Sequence, residues 1–190
     1  MRRLRSSAAP LAILAGLAAG PALAGPTAEA GAEAERLAEA GKNRSAWEIL
    51  VRAADAVWAV APLEIRETLF VAGEPQGYGV YQPRASNVFK AGETLLVYGE
   101  PFGYGYGRDG DLNRIAFEVR LSVASPAGAE IIPPRSGPLS LTSRRRNREF
   151  MLHFAYTPEG LQAGDYVLVA ELRDVSTGKT ASARLPFRIE

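Results

Sequence analysis

Two hydrophobic periods divide the chain. Between residues 43 and 62 the apolar positions recur every three or four residues: Trp47, Val51, Ala54 and Trp58 fall on one face of a helix. Ser45 with Glu48 three residues on reads as a capping box, Glu48 and Arg52 as an i,i+4 pair, and Pro62 as a stop. Upstream, "TAEAGAEAERLAEAG" is rich in Ala and Glu, strong helix formers, and ends in Gly41, a C-cap residue. The two segments together predict a helical hairpin. Its apolar stripe either covers the domain behind it or docks a partner. A helix this short needs tertiary burial to be stable, which favours the first reading.

From Leu63 onwards the period becomes two. Ile115, Phe117, Val119, Leu121 and Val123 alternate with Ala116, Glu118, Arg120 and Ser122, giving one wet face and one buried face. Phe150, Leu152, Phe154 and Tyr156 repeat the pattern, as do Ala183, Leu185, Phe187 and Ile189. Further strands are expected over 63–71, 94–99 and 165–174, with weaker ones over 77–82, 129–132 and 139–142. Such alternation marks antiparallel sheets with one solvated face, because buried parallel strands are apolar throughout. Turn-forming stretches such as "SPAG", "PPRSGP", "TPEG" and "DVSTGK" separate the strands, which suggests one sheet packed on another. No βαβ rhythm is present, so nucleotide-binding α/β folds are not expected.

Near the C-terminus, "LQAGDYVLVAELRD" and "STGKTASARLPFRI" carry a resemblance. Leu161, Gly164, Asp165 and Tyr166 match the Leu-x-x-Gly-Asp-Tyr entry to the penultimate strand of bacterial immunoglobulin-like or fibronectin-type sandwiches. The segment resembles those folds over roughly its last 40 residues, without the Cys and Trp hallmarks of antibody domains. The resemblance implies that Tyr166 bonds backbone upstream, as a tyrosine corner does. It carries no site with it, since a fold does not fix a function. The fold class expected is therefore mainly β: an antiparallel immunoglobulin-like β-sandwich over 63–190, preceded by a short N-terminal helical hairpin over 25–62.

Residues 1–24 stand apart. A basic start with Arg2, Arg3 and Arg5, an apolar run over 11–19 and the ending Pro21-Ala22-Leu23-Ala24 read as a secretory signal peptide cleaved after Ala24. The run is shorter than the roughly 20 residues a membrane span needs. The mature chain is expected to be periplasmic or secreted, with no transmembrane anchor. Without the three leader arginines, the 22 basic residues fall to 19 against 21 acidic, a mature formal charge of −2. That balance gives no reason to expect nucleic acid as a partner. The chain has no cysteine, so neither disulfides nor thiol chemistry is available.

Hydrolytic catalysis most often uses histidine as its base. The single one, His153, sits between Leu152 and Phe154 on the outward side of a strand, where an exposed structural histidine is expected. No G-x-S-x-G, phosphate-cradling Gly-Lys-Ser/Thr or H-E-x-x-H motif occurs. Asp109, Asp111 and Asn113 are spaced like the first oxygen ligands of a calcium loop. However, Arg114 stands where the turn glycine belongs and Arg120 where the last carboxylate belongs, so a turn is the competing reading. No cofactor is implied.

The segments "GEPQGYGVYQPR" and "GEPFGYGYGR" share a glycine-tyrosine pattern. Tyrosine offers a stiff apolar body with a polar tip, and flanking glycine admits close approach. Tyr78, Tyr81, Phe102, Tyr104 and Tyr106, edged by Arg84 and Arg108, therefore form a candidate ligand patch for a sugar or a peptide strand. The alternative is that these aromatics pack over the sheet or under the helical hairpin, with glycines relieving crowding or forming bulges. Arg144, Arg145, Arg146 and Arg148 form a second candidate, for phosphate or carboxylate on an acidic partner or envelope polymer. A solvated turn that guards a strand edge explains them equally.

By elimination the expectation is a non-enzymatic envelope protein that binds a protein or polysaccharide partner. A carbohydrate-binding module would need the tyrosines to form an exposed platform. An enzyme built from Glu74, Glu100, Asp109 and Asp111 would need two carboxyls about 5–10 Å apart across a cleft.

Overall fold

Helix α1 (Pro26–Glu39) and helix α2 (Asn43–Val60) are joined by a turn built on Gly41. Gly41 takes a φ of +72°, so Lys42 N–H reaches the Leu37 carbonyl at 2.8 Å and Gly41 N–H the Ala38 carbonyl at 2.9 Å. These two bonds satisfy carbonyls that the helix end leaves open. Ala34 and Leu37 pack against Ala46 and Ile49 across the hairpin. The computed structural model describes residues 25–190, so the expected leader over 1–24 lies outside the described residues. Among the described residues no helix is long and apolar enough to cross a membrane.

The chain divides into two compact units between Ala53 and Ala54, inside α2. The cause is that the two ends of this helix bury different faces. Ala46 and Ile49 turn toward α1, whereas Asp55 and Trp58 turn toward residues of the β unit. The single buried stripe expected from periodicity is thereby corrected: Trp58 is buried, but Trp47 is 65% exposed and Ala54 is exposed as well. Ser45 lies inside the helix and not ahead of it, and Glu48 approaches Arg44 at 4.0 Å, one turn earlier than Arg52.

Nine strands follow: β1 (Glu64–Phe70), β2 (Val88–Phe89), β3 (Leu95–Phe102), β4 (Gly107–Asp109), β5 (Leu112–Ala124), β6 (Glu130–Ser143), β7 (Leu152–Tyr156), β8 (Gly164–Asp174) and β9 (Thr180–Ile189). They form a three-stranded sheet, β1-β3-β7, and a six-stranded sheet, β2-β9-β8-β5-β6, in which the short β4 pairs with the start of β5 on the edge opposite β6, the edge that β8 takes further along. Every ladder is antiparallel except that of the two-residue β2, which runs parallel to β9. The weak strand expected over 77–82 is a loop with one isolated bridge, Gly77 to Val80, and the two expected over 129–132 and 139–142 merge into β6.

Alternation places the core as the pattern requires. Phe70, Leu95, Val97 and Tyr156 of the smaller sheet meet Val123, Leu168, Leu185 and Phe187 of the larger one. A second cluster gathers Trp58, Tyr104, Ile115, Phe117, Phe150, Leu152 and Leu172. On the wet face of β5, Glu118 faces Arg173 and Arg120 faces Glu171 at 3.8 and 3.6 Å. Tyr166 donates its hydroxyl to the Gln162 carbonyl at 2.9 Å, the corner bond that the resemblance implied.

The sandwich closes at one side, where β1 lies against β9. At the other side β6 ends the larger sheet and β7 ends the smaller one, and no ladder joins them.

Candidate functional site

The two glycine-tyrosine segments serve different parts of the unit and do not form one surface. Residues 71–83 fold back over the outer face of β3, where the Tyr81 ring stacks on Tyr98 at 4.1 Å between centroids. Gly79 N–H donates to the Tyr98 hydroxyl, and that hydroxyl donates to Glu100 Oε1, both at 2.7 Å. Arg66, opposite Glu100 in the ladder, lies 3.9 Å from its carboxylate and donates to the Tyr78 hydroxyl at 2.9 Å. Tyr78 and Tyr81, both half-buried, thus cover a buried polar pair. Arg84 pairs with Glu93 at 2.8 Å, donates to the Val88 carbonyl and lies over the Phe89 ring.

This cluster carries a pH prediction. Burial pushes the Tyr98 phenol up to about 12; the Gly79 N–H favours the phenolate and opposes the shift, while Glu100 adds to it. A folded-state value above the unfolded one stabilises the protein fully below pH 10, and that stabilisation is lost as pH rises through about 12. Denaturation midpoints should therefore fall between pH 10 and pH 12, and Tyr98→Phe should flatten part of the slope. Burial raises Tyr78, Tyr104, Tyr106 and Tyr156 too, so the flattening is partial.

The second segment anchors the C-terminal end of α2. Trp58 sits edge-on to Phe102 and Tyr104, and its indole N–H donates to the Tyr104 carbonyl at 2.7 Å. Tyr104 is 1% exposed, a core residue and not part of an exposed patch. The Tyr104 and Tyr106 hydroxyls both donate to the Asn147 carbonyl. Gly105 N–H donates to the buried Asp174 at 2.6 Å, and Lys179 Nζ reaches the carbonyls of Ala59, Ala61 and Gly103. An ammonium there satisfies carbonyls that a helix end leaves open and complements its dipole. Phe102 and Tyr106 are half-buried, and Arg108 is exposed.

Asp109 and Asp111 flank the exposed β4–β5 hairpin at Gly110, while Asn113 accepts from Arg108 and donates to the Arg144 carbonyl. No cluster of three or more His, Cys, Asp or Glu side chains able to hold a metal occurs among the described residues. The arginine run also splits. Arg148 binds Asp55 with its Nε and Nη2 at 3.1 and 2.7 Å, Arg146 lies over Tyr106, and Arg144 and Arg145 are exposed.

The most site-like feature lies elsewhere, in the gap between β6 and β7. A cleft of about 490 Å³ opens there, floored by Val119, Leu121, Leu139, Phe154 and Tyr156. Leu121 and Phe154 touch both core clusters, so the cleft reaches the interior of the sandwich. Its origin is legible in the ladder register. Arg135, Gly137 and Leu139 stand opposite Leu121, Val119 and Phe117 and therefore share their inward face. Where a core side chain would close the sandwich, β6 has only Gly137, and a Cβ built there meets nothing within 4 Å. Arg135 is exposed and has no carboxylate within ion-pair distance among the described residues. His153 lines the same opening, half-buried and not exposed as expected, with Nε2 unpartnered among the described residues.

Sequence reasoning missed this cleft because "PPRSGP" reads as a turn. The available signal was that prolines within a strand are confined to edges.

Neither a protein-family profile nor a curated protein matches the chain. Among solved structures it is similar to the superoxide reductase (neelaredoxin) of Ignicoccus hospitalis, at 12% identity and a TM-score of 0.33, over 56% of this chain and 77% of that one. It is similar to the CARDB domain of a Pyrococcus furiosus protein in complex with two metal ions, at 15% identity and 0.31, over 68% and 86%. A conjugative transposon lipoprotein from Bacteroides eggerthii aligns at 14% identity and 0.32, over 66% and 96%. At these scores none of the three supports an argument about this chain.

Proposed function

We propose that the protein is a non-enzymatic binding module of the cell envelope, exported by its leader, which seats the apolar part of a partner in the cleft between β6 and β7. The observation that carries the reading is the open side of the sandwich, where a glycine takes the place of a core side chain and core residues line a cavity. A volume of about 490 Å³ lies within the roughly 300–1,000 Å³ typical of ligand sites. The tyrosine segments fit a platform for sugars poorly, since Tyr104 is buried, Tyr81 stacks on Tyr98 and Tyr78 accepts from Arg66. The carboxylates of an acid-base enzyme are likewise divided: Glu100 is bonded within a buried cluster, and Asp109 and Asp111 flank an exposed hairpin.

The test is to fill the cleft. Gly137→Phe places a ring into open space on the inward face of β6, at a residue with no left-handed backbone requirement. The variant should keep the parent's stability to within about 1 kcal/mol. It should also lose at least about tenfold in affinity for an apolar fluorescent probe, anilinonaphthalene sulfonate, measured by titration. Equal probe affinity in the two proteins would sink the reading.

A further inference from the structure

The two strands that border the cleft are unlike as edges. Edge strands expose unpaired N–H and C=O groups, and proteins blunt them with proline, with charge or with inward-pointing charged residues. β6 has all of these: Pro133, Pro134 and Pro138 remove donors, and Arg135 points inward. β7, "LHFAY", contains no proline and no Asp, Glu, Lys or Arg. It pairs only with β3, and no loop backbone hydrogen-bonds to it among the described residues. Its inward residues Phe154 and Tyr156 line the cleft, so whatever pairs with its edge also sits over the apolar floor.

Resting on the binding role proposed above, we infer that β7 accepts an extended segment of a partner polypeptide as a fourth strand of the β1-β3-β7 sheet. Its alternate apolar side chains fill the cleft and an acidic side chain meets Arg135. Three features specify this occupant. The free backbone edge asks for another main chain, and pairing by strand addition supplies affinity without sequence demands. The pleat turns every second side chain of the added strand toward Leu121, Leu139 and Phe154. Arg135, with no carboxylate within ion-pair distance among the described residues, supplies a planar bidentate partner for one. The proline-bearing edge of β6 keeps the pairing one-sided, which leaves β6 as a wall and β7 as the template.

The experiment selects binders to the full mature chain from a library of capped peptides of about eight residues. The best binder is then compared with an analogue N-methylated at alternate amides, which keeps its side chains but removes backbone donors. The inference expects enriched peptides with a two-residue apolar period and a Glu or Asp. It expects a loss of at least about tenfold on N-methylation, and hydrogen-exchange protection of His153 to Tyr156 on binding. Arg135→Gln should weaken acidic binders several-fold while leaving neutral ones unchanged. If the parent and N-methylated peptides bind equally and Gly137→Phe abolishes both interactions, the cleft takes apolar side chains alone; strand addition is overturned while the binding role stands. If no peptide is enriched and the fluorescent probe does not bind either, both readings fall. Protection of His153 to Tyr156 in the free protein, accompanied by dimerisation on sedimentation, would identify a second copy as the occupant and overturn the inference.

Discussion

Gly103→Ala is expected to destabilise the β unit by about 4 kcal/mol or more, a loss that few single substitutions reach. Gly103 has a φ of +76°, which alone costs an alanine about 1–2 kcal/mol. The larger effect is steric. A Cβ built on Gly103 lies 2.1 Å from the Pro62 carbonyl oxygen and 3.3 Å from that of Ala61, both backbone atoms that no rotamer change can move. Relief requires the end of α2 to withdraw, which breaks the Trp58 bond to Tyr104 and the three carbonyl contacts of Lys179. Gly110→Ala is the control, because its φ is also positive at +56° but its Cβ meets nothing within 4 Å. It should cost only about 1 kcal/mol. Urea denaturation of both variants reads the difference, and equal midpoints would show that the contact at Pro62 yields without consequence.

Asp174→Ala carries the second large effect, about 3 kcal/mol or more. The carboxylate is fully buried and accepts Gly105 N–H at 2.6 Å, Ser176 N–H at 2.8 Å and the Thr177 hydroxyl at 2.6 Å. Alanine leaves these donors without an acceptor in a closed site, and each orphaned donor costs about 1–3 kcal/mol. Crowding reinforces the loss, since Gly105 packs so closely on Thr177 that a Cβ would approach its methyl at 2.4 Å. Asp174→Asn keeps one acceptor oxygen and should recover part of the stability. Because Gly103 and Asp174 hold the same segment, from Gly103 to Gly105, their effects should fall short of additivity in the double variant. Denaturation of the four proteins of that cycle checks it. A strictly additive sum would mean that the two anchors act independently.

Both residues hold "GEPFGYGYGR" in place, Gly103 from within it and Asp174 from the end of β8, and this is one of the two stretches that residue type singles out as a candidate ligand patch. Its residue types mark it as special and leave two readings open, a ligand close by or the packing of the chain on itself. Glycines flanking tyrosines permit close approach by any neighbour. Here the neighbours are Pro62, Ser176 and Thr177 of the same chain. Local chemistry announces that something comes close; it does not say what.

The arginines make the same point with charge. Arg148 looks like its exposed neighbours Arg144 and Arg145 in the sequence, yet it alone of the three holds Asp55, 93 residues away. Nothing local separates the three, because the partner is delivered by the docking of α2 and not by the turn itself.

Much was nevertheless written locally. The helical hairpin with its Gly41 turn and the inward rows of β5, β7 and β9 follow from spacing and residue type, because side-chain direction in helices and strands repeats with a fixed period, while the Tyr166 corner came with the resemblance to immunoglobulin-like sandwiches. The tertiary structure decided which strand lies beside which. That choice set the open side between β6 and β7, the inward gap at Gly137 and the burial of Tyr104. Periodicity tells each residue whether to face the core, but the neighbours waiting there come from distant parts of the chain.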